Sequence, residues 1–172
     1  NPIVQQSFQT LVDTLNAQIK TIEAQMEQLF TTYPALQEQR TCRVSIQGIG
    51  KPTAAKMLGE MYDLEHYENA PAAAADAGAT PAHHESGTSV RRRPRLSKVG
   101  KASLRGALYW PAITAMQYNP VVRDLKERLA KQGKPFKVIL GAAIRKLLHL
   151  AYGVLKHHTL FDPEYVKKTR RH

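Results

Sequence analysis

A single cysteine, Cys42, stands in the 172 residues. It excludes an intrachain disulfide and a Cys-rich zinc site. No apolar run approaches the roughly 20 residues that span a bilayer. The longest, Gly106–Met116, is broken by Pro111, and no signal-peptide pattern opens the chain. A membrane-spanning protein, a disulfide scaffold and a collagen-like chain are thereby excluded. Acid is the most unevenly missing chemistry: none occurs from Ser86 to Arg123. Aromatics are sparse at 7%, with one tryptophan, Trp110.

What is present is basic and globular. The net charge is +11, divided as −5 over residues 1–85 and +16 over residues 86–172. A surface of one sign attracts polyanions and speeds encounter with them. Nucleic acid is the leading partner, with an anionic membrane surface as the other polyanion. With 42% hydrophobic and 23% charged residues, the chain can bury a core. It opens on Asn1 rather than Met, which points to a processed product or a piece of a longer protein.

The expected fold is mainly α: a long N-terminal coiled-coil helix followed by a compact helical domain. Val4, Phe8, Leu11, Leu15, Ile19, Ile22, Met26, Leu29, Tyr33 and Leu36 form a heptad-like seam with one long step near Leu15. It predicts a helix over 3–36 and an arm over 1–36, which Pro34 ends or kinks. Such a seam calls for a partner helix, in a second copy or elsewhere in a parent protein, or for packing on this domain. A helical domain follows over 37–160, then a basic tail over 161–172. Further helices are expected over 71–76, stopped by Gly78; over 102–118, where Pro111 is a kink site; from Pro120 to Lys131, closed by Gly133; and over 135–157. The last is apolar on most sides and so central. Residues 79–90 read as extended chain or loop, within a serine and basic loop over 79–101.

Three segments carry candidate chemistry. In the first, about 37–62, Ser45-Ile-Gln-Gly-Ile-Gly-Lys-Pro-Thr-Ala-Ala-Lys-Met-Leu58 resembles a helix-hairpin-helix motif. A Gly-x-Gly turn that opens a helix offers backbone N–H groups and the positive end of the helix dipole to phosphate. Gly48 and Gly50 permit left-handed backbone and close approach; Lys51, Thr53 and Lys56 complete the candidate contacts. A purely structural turn is the other reading. A nucleotide-hydrolase phosphate loop is excluded, since no Gly-Lys-Ser/Thr follows.

The second is the run Arg91, Arg92, Arg93, Arg95, Lys98, Lys101 and Arg105. Its guanidinium forks suit phosphate oxygens; a solvated loop or a localisation signal is the alternative. Tyr109 and Trp110 follow, expected in the core, with base stacking as their other use. The third is His83-His84-Glu85-Ser86-Gly87. A loop serine beside fixed positive charge can serve as a nucleophile for a phosphodiester, with Arg groups stabilising the developing charge. Ser89, Ser97 and Ser103 compete with Ser86. The His pairs at 83–84 and 157–158 lack metal-ligand spacing, so no metal site is assigned to this chain.

Four stretches then fall in a familiar order: Ile46-Gln-Gly-Ile-Gly-Lys-Pro-Thr-Ala-Ala55, Ala77-Gly-Ala-Thr-Pro81, Glu85-Ser-Gly87, and Leu96-Ser-Lys-Val-Gly-Lys-Ala-Ser-Leu-Arg-Gly-Ala-Leu-Tyr109. Over about 40–157 the chain resembles the C-terminal transposase domain of the insertion-sequence recombinases related to the Piv-type DNA invertases. Lys101 stands where that family often has Asn, and Ala79 where Leu is common. The resemblance implies a preceding RuvC-like nuclease domain with four acidic residues and a divalent metal (Mg), absent from this chain. It implies a helical arm that makes a homo-oligomer, a structured guide RNA bridging donor and target DNA, and Ser86 as nucleophile. The expected function is DNA and guide-RNA binding with a serine for strand cleavage and exchange, in the bacterial, nucleoid-associated cytoplasm and without a membrane partner. This chain alone is expected to bind without recombining. A non-catalytic nucleic-acid-binding module and a coiled-coil assembly protein with an incidental basic face are the rivals.

Overall fold

The computed structural model describes residues 1–61, 67–82, 85–86, 90–91, 95–97 and 99–164. For Ala82, Glu85, Ser86, Val90, Arg91 and Arg95 it describes backbone alone. The chain divides into two compact units, Asn1–Glu38 and Gln39–His172.

In the first unit, α1 runs over Pro2–Thr32, a rod of about 46 Å at the helical rise. Asn1 caps it, its side chain accepting from the Ile3 amide at 3.1 Å. The helix stops four residues short of the expected end because Pro34 has no N–H for the Phe30 carbonyl. Proline also pushes the preceding residue out of helical space, and Tyr33 is extended at φ −117°, ψ 95°. Phe8, Leu11, Leu15, Ile19, Ile22 and Leu29 of the apolar seam are all exposed.

The second unit is helical around a central α8. After α2 (Pro34–Val44) and α3 (Lys51–Glu60) come α4 (Ala70–Asp76), four two-residue strands, α5 (Ala102–Ala107), α6 (Tyr109–Tyr118), α7 (Pro120–Lys131) and α8 (Phe136–Lys156). α8 packs against α4, α6 and α7. Ile139, Ala143, Ile144, Leu147, Leu148, Ala151 and Leu155 are buried on it, while Val138 is exposed. By length and composition α8 is apolar enough to cross a bilayer; counting uninterrupted apolar runs missed it because Lys137, Arg145 and Lys146 interrupt the stretch. Most of its surface lies inside the domain, as in a soluble core helix.

The helix expected over 102–118 is two helices that meet at Leu108. Pro111 again supplies the reason: it cannot donate to the Ala107 carbonyl, so α5 ends there. Within α6 it occupies the third position, where N–H groups have no intrahelical acceptor anyway. At the next corner Asn119 is fully buried and caps α7, its Oδ1 accepting from the amides of Val121 and Val122 at 3.1 and 3.3 Å.

The strands form two short antiparallel ladders. β1 (Pro81–Ala82) pairs with β4 (Arg95–Leu96), and β2 (Glu85–Ser86) with β3 (Val90–Arg91). The registers are Pro81↔Leu96, Ala82↔Arg95, Glu85↔Arg91 and Ser86↔Val90. The stretch expected as extended chain or loop thus carries two short ladders, a β finger whose described part is these four strands.

Candidate nucleic-acid interface

α2, the turn after it and α3 have the helix–turn–helix order expected from Gly48 and Gly50, but the two glycines serve different ends. Gly48 is left-handed at φ +106°. A Cβ there would lie 2.7 Å from the Ala115 Cβ and 2.8 Å from the Pro111 carbonyl oxygen, so the turn sits directly on the backbone of α6. Gly50 is not left-handed; it caps α3 at φ −86°, ψ 170°, and a Cβ there would meet only Pro52 at 3.8 Å. Asn119 ties the same turn to α7, its Nδ2 donating to Gln47 Oε1 at 3.3 Å and to the Gln47 carbonyl at 3.4 Å. Lys51 is exposed at the start of α3 and Thr53 is half-buried. Lys56 is exposed and pairs with Glu60 at 3.4 Å.

Beneath this turn lies a residue that sequence reasoning passed over. Arg43 is 1% exposed; its Nη1 donates to the Gln39 carbonyl at 3.3 Å and its Nη2 to the Met61 carbonyl at 3.4 Å. Burial lowers its pKa to about 10, against a raising influence from Cys42. Nothing in the local pattern of α2 distinguishes this Arg from a solvated one; only the packing does.

The basic run divides. Arg91 lies on β3 and Arg95 on β4, whereas Arg92, Arg93 and Lys98 fall outside the described residues. Ser86 is the last residue of β2 and pairs with Val90, so three residues, 87–89, separate the partners. Its neighbour Glu85 pairs with Arg91. The base of the finger is anchored: Ser97 donates its amide to the Thr80 carbonyl at 2.8 Å. Leu96 Cδ1 lies so close to Gly141 that a Cβ there would be 2.9 Å from it.

Lys101 and Arg105 have partners inside the domain. Lys101 Nζ lies 2.8 Å from Asp76 Oδ2 and also donates to the Glu60 carbonyl. Tyr67 donates its hydroxyl to the same Asp76 oxygen. Burial raises the Asp76 pKa, but hydrogen bonds from Lys101 and Tyr67 outweigh it and hold the carboxyl below its usual value. The Asp76 hydrogen bond raises Lys101 in turn. Arg105 Nη1 donates to the Ala77 carbonyl at 2.9 Å. Both cations thus close the C-terminal end of α4, where carbonyls and the helix dipole favour positive charge.

Tyr109 and Trp110, expected in the core, are exposed at 42% and 72%. The buried side of α6 is Pro111, Ala112, Ala115 and Met116. Small residues are required where the Gly48 turn touches the helix, and that requirement puts the large rings outside. Among the described residues no group of three His, Cys, Asp or Glu could hold a metal ion.

Residues 44–127, which contain the turn, the finger and the helices α5 and α6, match the Transposase IS116/IS110/IS902 family. The pilin gene-inverting proteins of Moraxella bovis and Moraxella lacunata are each 32% identical to the chain over 145 residues, 84% of this chain and 45% of theirs. An uncharacterized 43.6 kDa protein of insertion element IS110 from Streptomyces coelicolor is 25% identical over 160 residues, 93% of this chain and 38% of that protein. The chain therefore spans less than half the length of these relatives. Its resemblance to the Piv-related recombinases is homology, and the chain carries a transposase domain of the IS116/IS110/IS902 family.

Proposed function

We propose that this chain is the part of a DNA transposase or invertase that grips nucleic acid and supplies the serine nucleophile, Ser86. The observation that carries the reading is the register of the finger. It sets Ser86 opposite Val90 and Arg91 opposite Glu85, so the serine and the first arginine of the basic run share one ladder, with Arg95 on the other. The homology to gene-inverting proteins supplies the reaction class.

In the proposed step the Ser86 hydroxyl oxygen attacks a DNA phosphorus. An O–P bond to serine forms as the bond from phosphorus to the leaving DNA oxygen breaks; the serine proton leaves to a base and the departing oxygen is protonated. Arg91, Arg92, Arg93 and Arg95 stabilise the charge that builds on the phosphoryl oxygens. A DNA hydroxyl then displaces serine from phosphorus, so the phosphodiester is regenerated without an energy cofactor. The divalent metal belongs to the RuvC-like domain implied by the family. Among the described residues of this chain no group of three His, Cys, Asp or Glu could hold it.

The α2–turn–α3 unit is read as a helix-hairpin-helix grip on the backbone. Lys51 and Lys56 are exposed beside it, as is Gly50 at the α3 N-terminus, where free amides and the dipole favour phosphate. The exposed seam of α1 fits a homo-oligomeric coiled coil. A structured guide RNA, and a bacterial cytoplasmic, nucleoid-associated location, complete the proposal.

The test uses the full-length parent with guide RNA, magnesium and a DNA substrate that traps the cleaved intermediate. A denaturing gel should show protein joined covalently to DNA in wild type and Ser89→Ala but not in Ser86→Ala. An adduct that persists in Ser86→Ala moves the chemistry to another residue. No adduct in wild type, with salt-sensitive binding intact, leaves a non-catalytic nucleic-acid clamp.

A further inference from the structure

The exposed face of α6 has no role in the reading above. Trp110, Thr114, Gln117 and Tyr118 follow at helical spacing i, i+4, i+7 and i+8, and all four are exposed, Trp110 at 72% and Tyr118 at 63%. The sole tryptophan of the chain thus shares one exposed helix face with a second large ring rather than standing singly on the surface. The indole is also held in place: Tyr109 meets it edge-on, with ring centroids 5.3 Å apart and planes at 86°. Behind the stripe, α6 is clamped to the Gly48 turn, so the platform is rigid.

We propose that this stripe is a stacking platform for unpaired DNA bases. The inference rests on the DNA-rearranging function proposed above, since strand exchange requires bases that are transiently unpaired. Two observations choose the occupant. The stripe itself carries no acid, within a segment from Ser86 to Arg123 that has none, and exposed Arg123 follows on the next helix, with exposed Asp124 beside it. The side chains between the rings, Thr114 and Gln117, are neutral hydrogen-bonding groups suited to base edges. A duplex hides its base faces in its own stack; an unpaired strand presents them. Trp110 and Tyr118 are about 12 Å apart along the helix axis at the helical rise, room for about three bases at about 3.4 Å each.

Because Trp110 is the sole tryptophan, its emission reports on the platform directly. The chain is titrated at low salt with dT16, rU16 and a 16-base-pair duplex. Binding is followed both by Trp110 emission and by the anisotropy of end-labelled oligonucleotides. The expected result is quenching by dT16, with Trp110→Ala and Tyr118→Ala each weakening dT16 binding about 5- to 100-fold, the range for loss of one base–aromatic stack. Duplex binding stays within about twofold, and Trp110→Phe recovers most of the dT16 affinity. Circular dichroism confirms that the variants keep their helix. Binding of dT16 with unchanged emission and no loss in Trp110→Ala overturns the platform while leaving DNA binding intact. Tenfold tighter binding and stronger quenching by rU16 overturns it in favour of an RNA surface. Absence of binding to all three overturns the platform together with the DNA-gripping role of this chain.

Discussion

Gly48→Ala tests whether the turn after α2 is positioned by its packing on α6. The substitution asks an L side chain to adopt φ +106°, a strain of about 1–3 kcal/mol. The new methyl would also overlap Ala115 Cβ at 2.7 Å and the Pro111 carbonyl oxygen at 2.8 Å. Neither neighbour is the far end of a flexible side chain, so relief requires a backbone shift costing about 1–3 kcal/mol. The reduced freedom of the unfolded chain returns about 0.4–1 kcal/mol. The net destabilisation is about 1–5.5 kcal/mol, a fall in Tm of about 2–20 °C for a chain of this size. Gly59→Ala is the internal control. Gly59 lies within α3 and a Cβ there meets nothing within 4 Å, so alanine should stabilise by about 0.5–1 kcal/mol. Urea unfolding followed by far-UV circular dichroism measures both. A Gly48→Ala variant as stable as wild type would refute the close seating of the turn on α6.

Further expectations follow from the same contacts. Asn119→Ala removes the α7 cap and the bonds to Gln47 and should cost about 1–3 kcal/mol in urea unfolding; Asn119→Asp should keep an acceptor for the cap but lose the donor to Gln47, and so should also destabilise. Lys101→Met should lower stability by about 0.5–1.5 kcal/mol, a modest effect because the Asp76 pair is partly solvated. It should also leave the salt dependence of DNA binding unchanged, whereas Arg91→Gln should reduce the slope by about one if Arg91 contacts a phosphate. His149 sets an acid limit. Burial, together with the charges of Arg145 and Lys146, lowers its pKa to about 4, and its Nε2 is buried without a hydrogen-bond partner. The unfolded imidazole binds a proton more readily than the folded one, so this contribution to stability is complete above pH ~6.5. It falls as pH drops toward 4 and is constant below that. Allowing for solvent screening at a half-buried site, the loss is about 1–2 kcal/mol, and the stability of wild type relative to His149→Gln should fall by that amount as pH drops through this window.

The helical frame could be read from local signals alone. Pro34, Gly78, Pro120 and Gly133 act within a few residues of themselves, on backbone angles and amide hydrogens, so the ends they mark need no knowledge of the fold. Charge segregation and the sequence proximity of Ser86 to the Arg run are likewise properties of the linear chain. The break at Leu108 was half visible: Pro111 announced a disturbance, but the lost hydrogen bond lies four residues earlier.

The tertiary structure decided which side chains are free to act. Lys101 and Arg105 looked like members of one basic patch, yet Asp76 and the Ala77 carbonyl at the end of α4, with the Glu60 carbonyl at the end of α3, draw both inward. Trp110 looked like core because large apolar rings usually are, yet the close approach of Gly48 reserves the inner side of α6 for small residues. Gly48 and Gly50 looked equivalent, and only the contact with α6 separates a packing glycine from an exposed cap. In each case the deciding partner is distant along the chain, so its distance and charge exist only once the helices have packed.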